Sequence, residues 1–246
     1  MELLLGFVVA LAISLTGVGA GSMMTPLLIL MLGVPPATAV GTALAFGAIV
    51  KVAAVPLYVI RGHVNLRVLG LLLVGGLPGV VAGAILLDRL KRGPYYGVLY
   101  LALGTLIVST AVFHLYRVFR PKERPSGDRR SRLLPWFAFP IGAEVGFSSA
   151  GAGALGSLLL LTLTPLTAVE VIGTDLCFGL GVSLVGSLLQ IGAGNYDGTL
   201  LWKLAIGGLC GAFTGSLLAG RIAQRPLRVG LLVVLIVLGC RLALHG

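Results

Sequence analysis

Apolar side chains run along this chain in long stretches, separated by short clusters of charged, proline and glycine residues. Between Glu2 and Lys51 there is no charged side chain. The stretches 68–87, 93–116, 145–169 and 176–196 are also free of Asp, Glu, Lys and Arg. Each is long enough for the roughly 20 residues that cross the hydrocarbon core of a bilayer. The pattern predicts eight apolar segments, at about 3–32, 38–60, 67–87, 94–116, 134–163, 168–191, 200–220 and 226–244. In lipid such segments must be helical, because backbone polar groups find no partner outside the segment. The expected fold class is an all-α polytopic integral membrane protein.

The pattern also repeats. Laid over the second half at one constant offset, the first half matches it without a gap across most of its length. Gly19 and Gly21 meet Gly151 and Gly153, and Gly41-Thr42 meets Gly173-Thr174. Gly62-His63-Val64-Asn65 meets Gly194-Asn195-Tyr196-Asp197, and Gly75-Gly76-Leu77 meets Gly207-Gly208-Leu209. Gly79 and Gly83 meet Gly211 and Gly215. The expected organisation is a first transmembrane repeat over 1–118, a basic cytoplasmic linker over 119–133 and a second repeat over 134–246. Internal duplication is typical of secondary transporters, whose substrate site lies between the repeats near the bilayer midplane.

The first segment of each repeat is longer than one crossing and shorter than two. It is interrupted by Gly17-Val18-Gly19-Ala20-Gly21 in one copy and by Ser148-Ser149-Ala150-Gly151-Ala152-Gly153 in the other. If each is one broken crossing, the repeats are parallel. If each is a re-entrant hairpin, they are inverted.

Composition agrees with the membrane reading: 57% of residues are hydrophobic and only 11% charged, against about 25% charged in soluble domains. The net charge of +10 does not imply nucleic acid. The basic residues lie in gaps between apolar segments, with seven of them in 117–132 beside two acidic ones, as in cytoplasmic loops. Glu2 stands where a signal peptide would carry basic residues, so the first segment is expected to be retained. Cys177, Cys210 and Cys240 lack paired spacing and read as small buried hydrophobes. His63, His114 and His245 are far apart, and no zinc-protease, nucleophile-elbow or P-loop motif occurs, so neither enzyme, metal nor cofactor is expected.

The two glycine-rich interruptions carry the candidate chemistry. Where a membrane helix breaks, its free amides and the positive end of the next half-helix form an anion site without a charged side chain. Gly19, Gly21, Gly151 and Gly153 would supply amides; Thr16, Ser22, Thr25, Ser148, Ser149 and Ser157 would add hydroxyls. The alternative is that the glycines only let helices pack closely. Ionisable groups inside an apolar segment are costly and are functional candidates by default. Lys51 either attracts an anion or snorkels to the interface. Asp175 and Glu144 are candidate proton carriers, since burial favours the neutral acid, and a Lys51–Asp175 pair across the repeats would explain both charges. Glu170 reads as interfacial. Asn65 and Asp197 suit turns and helix caps, and Tyr196 and Trp202 suit an interfacial aromatic belt. Thr42 and Thr174, at equivalent positions, would together with Lys51 assist the amides in holding the anion.

These residues resemble the sulfite exporter TauE/SafE family. The resemblance rests on Gly17-Val18-Gly19-Ala20-Gly21 followed by Thr25-Pro26-Leu27-Leu28, and on Gly33-Val34-Pro35-Pro36 leading to Gly41-Thr42-Ala43-Leu44. Gly62-His63-Val64-Asn65, Leu77-Pro78-Gly79, Gly173-Thr174-Asp175-Leu176 and Gly194-Asn195-Tyr196-Asp197 complete it. Ala20 stands where the family often has a third glycine. The resemblance covers nearly the whole chain except the linker. It implies an inner-membrane secondary transporter of about eight segments, moving sulfite, sulfoacetate or a related organosulfur anion, with proton coupling an open possibility. An anion channel using the same residues, or a membrane subunit holding a partner through the basic linker, are the other readings. Oligomeric state is left open.

Overall fold

The computed structural model describes residues 1–16, 19–93, 96–119, 131–151, 153, 155–218 and 224–244. Among the described residues there are ten α-helices and no strand. They are α1 (Glu2–Thr16), α2 (Ala20–Leu32), α3 (Pro36–Ile60), α4 (Leu66–Arg92), α5 (Tyr96–Phe119), α6 (Leu134–Ser148), α7 (Leu155–Leu163), α8 (Ala168–Gly192), α9 (Gly198–Leu218) and α10 (Gln224–Leu244), with a 3-10 turn at Ser131–Leu133 before α6. Four stretches of the described residues are long and apolar enough to cross a membrane: Pro36–Ile60, Leu66–Arg92, Gly97–Tyr116 and Ala168–Gly192.

The segments 3–32 and 134–163 are each a pair of shorter helices. With 15, 13, 15 and 9 residues, these helices reach about 14–23 Å, less than the roughly 30 Å core. The second break has a visible local cause. α6 ends at Ser149, whose φ of 61° is left-handed and unusual for a residue with a Cβ, and Gly151 and Gly153 follow at φ 91° and 101°. Other ends are capped. The Asn65 side chain accepts from the Val68 amide at 3.1 Å. Thr167 and Glu170 form a capping box at the start of α8. Pro36 starts α3, where no intrahelical donor is needed.

Glycines set the packing by letting backbones touch. On α4, a Cβ at Gly75, Gly79 or Gly83 would lie 1.9–2.1 Å from the carbonyl oxygens of Pro135, Phe139 and Ala143 on α6. On α9, a Cβ at Gly207 or Gly211 would lie 2.0–2.1 Å from those of Leu3 and Phe7 on α1. Both pairs therefore run parallel. α3 and α8 run antiparallel, with Gly41 against Asn195 at one end and Gly173 against His63 at the other. α5 and α10 are antiparallel too, with Gly104 against Ala243 and Val108 against Gly239. The contacts come in matched sets, in the register that lays Gly19 on Gly151. Gly76 abuts the Phe178 ring and Gly208 the Phe46 ring. Thr174 Oγ1 accepts from the Asn65 amide at 3.0 Å, and Thr42 Oγ1 from the Asp197 amide at 3.2 Å.

The outside of the bundle is apolar. Ile60, Leu66, Val74, Leu188, Phe213 and Leu244 are among many large hydrophobics left exposed, a surface suited to acyl chains rather than water. Trp136 and Trp202 are exposed as well, and Tyr196 partly so. Of the cysteines, Cys177 is half-buried while Cys210 and Cys240 are exposed, because the latter two face outward from α9 and α10. The expectation of buried cysteines is corrected there.

Candidate functional site

The antiparallel crossing of α3 and α8 places an amine inside the bundle. Lys51 Nζ donates to Ser183 Oγ at 2.9 Å and to the Gly179 carbonyl at 3.1 Å. α8 comes this close because a Cβ at Gly179 would stand only 3.1 Å from Lys51 Nζ. One turn earlier on α8 is Asp175, which is 4% exposed and near enough to Lys51 for their charges to interact. The two do not form a direct ion pair: the salt bridges among the described residues are Arg92–Asp88 and Lys203–Glu2. Asp175 Oδ2 accepts from Ser157 Oγ on α7 at 2.5 Å. Asp175 Oδ1 is buried without a hydrogen-bond partner, and a Cβ at Gly156 would overlap it. Ser157 Oγ also lies 2.6 Å from the Gly153 carbonyl. A hydroxyl has one proton and serves one acceptor at a time.

The two interruptions meet beside this crossing. A Cβ at Gly21 would fall 1.8 Å from the Ser149 carbonyl oxygen. Ser149 Oγ donates to the Gly21 carbonyl at 3.1 Å and lies 2.6 Å from Thr25 Oγ1. Ser22 Oγ donates to the Gly19 carbonyl at 2.7 Å. Ser148 Oγ donates to the Glu144 carbonyl at 3.0 Å and accepts from the Ala150 amide at 3.2 Å. These hydroxyls satisfy the broken backbone from within, which is how irregular backbone survives at membrane depth. The Glu144 carboxylate accepts from Thr110 on α5, and a Cβ at Gly151 would stand only 3.0 Å from its Oε2. A small hollow beside it is lined by Gly19, Ser22, Thr110, His114, Gly151 and Leu235.

The structure thus gathers the expected residues into two neighbourhoods. Lys51 and Asp175, joined by Ser157 to Gly153, form one. Gly19, Gly21, Ser22, Thr25, Glu144, Ser149 and Gly151 form the other. Thr42 and Thr174 hold the loops at opposite ends of the α3–α8 crossing, each about 13 Å along its helix from the middle. The Thr16 side chain, Gly17, Val18, His245 and most of the basic linker lie outside the described residues. Sequence reasoning missed Ser183, Gly179 and Thr110. Ser183 was within reach: the offset that lays Gly19 on Gly151 also lays Lys51 on Ser183, so the repeat register itself pairs them. Nothing in the sequence marks Thr110, which meets Glu144 only through tertiary packing. Also missed was a buried network at the far end of α8, where Asn195 Nδ2 donates to Gln190 Oε1 at 2.7 Å and Lys91 donates to Asn195 Oδ1.

An apolar exterior, half-length helices that meet in the interior and ionisable groups held inside the bundle define a multi-pass α-helical protein of the cell membrane. The sulfite exporter TauE/SafE family model matches residues 2–242, and the chain belongs to that family. It is 27% identical to the probable membrane transporter protein YjnA of Bacillus subtilis (strain 168) over 98% of both chains. It is 27% identical to the probable membrane transporter protein YdhB of the same organism over 87% of each. It is 29% identical to the probable membrane transporter protein ORF9 of Sinorhizobium sp over 91% of this chain and 85% of that one. No solved structure matches it. The protein is a membrane transporter, with a small molecule as its substrate and the bilayer as its surroundings.

Proposed function

We propose that the protein carries a small sulfur-containing anion (sulfite, sulfoacetate or a related organosulfonate) across the membrane by alternating access, coupled to a proton. The observation that carries this reading is the Lys51 amine, held inside the bundle beside Asp175 with Ser183 and the Gly179 carbonyl as its hydrogen-bond partners among the described residues. A cation kept at that depth is costly unless it serves a ligand. The anion would displace those weak partners and reach the amides of the interruptions at Gly19, Gly21, Gly151 and Gly153. Asp175 would carry the proton. Ionised, it accepts a hydrogen bond from the Ser157 hydroxyl; protonated, it donates to Ser157, whose own hydrogen then turns to the Gly153 carbonyl. Protonation would in this way be felt at the interruption. Glu144 is the second carboxylate for the same role.

The packing directions support eight apolar segments arranged as two inverted repeats. If α1–α2 and α6–α7 are hairpins that enter and return, successive elements alternate in direction. α1 is then parallel to α9, α4 to α6, and α3 antiparallel to α8, as the contacts require. If they are single crossings, α3 and α8 become parallel, against those contacts. One end of the bundle then carries Arg61, Arg67, the seven basic residues of 117–132 and the three arginines of 221–228. The other carries Arg89, Lys91, Arg92, Lys203 and Arg241. The basic-rich end, with the linker 119–133, is assigned to the cytoplasm. In a variant lacking Cys177, Cys210 and Cys240, Ser126→Cys and Gln224→Cys should both react with a membrane-impermeant maleimide only from inside. Labelling of Gln224→Cys only from outside, with Ser126→Cys labelled from inside, would refute the inverted arrangement.

The functional test is sulfite flux into liposomes, with sulfate and a small sulfonate as comparisons. Wild-type flux should saturate and follow an imposed pH gradient. Asp175→Asn should keep downhill exchange but lose the response to pH. A wild type indifferent to the gradient would remove proton coupling, and flux that never saturates would favour a channel.

A further inference from the structure

At the basic-rich end, where α3 stops and α8 starts, Leu57, Tyr58, Arg61, His63 and Val169 line a hollow of about 160 Å³. That is room for about five waters, too small for a drug-sized ligand and suited to one polar group. We infer that this hollow is a second anion site, which binds a tetrahedral oxyanion through Arg61, His63 and Tyr58, separate from the Lys51 crossing.

Three observations carry it. First, the donors are unspent. Among the described residues, no hydrogen bond or ion pair engages the side chains of Tyr58, Arg61 or His63. Among the described residues the carboxylate nearby is Glu170, whose charge reaches His63 but whose Oε2 is turned to its own cap, accepting from Thr167 N at 2.9 Å and Thr167 Oγ1 at 2.7 Å. Second, the equivalent corner of the other repeat is filled. Tyr58 and His63 correspond to Gln190 and Asn195, and there Lys91 of α4 reaches in to bond the buried Asn195. The chain thus closes one corner with its own side chains and leaves the other open with a guanidinium, an imidazole and a phenol. Third, the hollow's remaining lining is apolar and exposed: Leu57 and Val169 are 51% and 45% exposed. A planar guanidinium at the edge of an acyl-facing surface matches the bidentate geometry of a phosphate or sulfonate, and basic hollows at this level take lipid headgroups.

Two sources supply that chemistry: the phosphate of an anionic phospholipid, or a free oxyanion near the transport path. The experiment is thermal unfolding of the purified full chain in neutral detergent, titrated with phosphatidylglycerol, with phosphatidylcholine and with inorganic phosphate. Arg61 is exposed and bonded to nothing described, so Arg61→Gln should keep the wild-type melting temperature without ligand. Its half-maximal stabilising concentration should rise about tenfold, the effect of losing one charge-assisted hydrogen bond. Glu170→Gln should shift it the other way by removing the competing charge. Dependence on Arg61 with phosphatidylglycerol alone identifies a headgroup; dependence with phosphate identifies a free anion. Titrations that superimpose for wild type, Arg61→Gln and Glu170→Gln overturn the site. Lys51→Met, carried in parallel, separates this result from the transport reading, because it should leave the Arg61-dependent shift in place.

Discussion

Lys51→Met, purified and reconstituted, is expected to move sulfite at about one-tenth of the wild-type rate or less, with unfolding little changed. The amine donates two hydrogen bonds in the resting protein, to Ser183 and to the Gly179 carbonyl. An anion that replaces those partners gains a charge-assisted bond of about 1.5–3 kcal/mol, and removing it costs roughly ten- to a hundredfold in affinity or rate. Methionine fills nearly the same volume, the direct partners left behind are a neutral hydroxyl and a carbonyl, and Asp175, which loses a nearby cation but no direct bond, keeps its Ser157 hydrogen bond, so stability changes little. Lys51→Arg should recover only part of the rate. A guanidinium is larger than an ammonium, and α8 lies so close that even a Cβ at Gly179 would stand 3.1 Å from Lys51 Nζ. Flux equal to wild type in Lys51→Met would take Lys51 out of the pathway.

Gly79→Val is expected to have the largest effect on folding. A Cβ at Gly79 would lie 2.1 Å from the Phe139 carbonyl oxygen and 2.9 Å from the Ala143 amide nitrogen. Both are backbone atoms of a helix and cannot rotate away, so α4 and α6 must separate. Overpacking of this kind costs about 1–3 kcal/mol and more where the backbone cannot shift. Since a typical domain has only about 5–15 kcal/mol in total, the yield of monodisperse protein should fall several-fold. Gly70→Ala, on the same helix with nothing within 4 Å, should be neutral. Chromatography of both variants in detergent checks the pair. Equal behaviour would mean that α4 and α6 do not pack as described.

How much of this was legible beforehand differs by feature. The apolar stretches located the long helices to within a few residues, since the pattern and the bilayer constraint agree at 38–60, 67–87 and 168–191. The interruptions were legible as runs of Gly, Ala and Ser. Their consequence, two short helices rather than one bent one, was not, because it depends on which carbonyls meet which glycines across the bundle. The expected Lys51–Asp175 pair illustrates the same limit. Sequence placed both charges inside apolar segments, yet Lys51 bonds to Ser183 and Asp175 to Ser157, as the rotation of α8 against α3 and α7 dictates. The roles of Thr42 and Thr174 were obscured in another way. A buried threonine reads equally as a ligand donor or as an acceptor for a loop amide, and here each receives an amide from the turn of the opposite half.

The pairing of α1 with α9, and of α4 with α6, has a consequence for biogenesis. Each close pair takes one helix from either half of the chain, so neither half holds a complete set of contacts. α1 is synthesised some 200 residues before the end of α9, which at about 5–20 residues per second is a delay of roughly 10–40 s. Through that interval the first half must wait in the lipid with the face of α1 that meets Gly207 and Gly211 unmatched. The insertion machinery, or lipid itself, has to shelter that face until the ribosome delivers its partner.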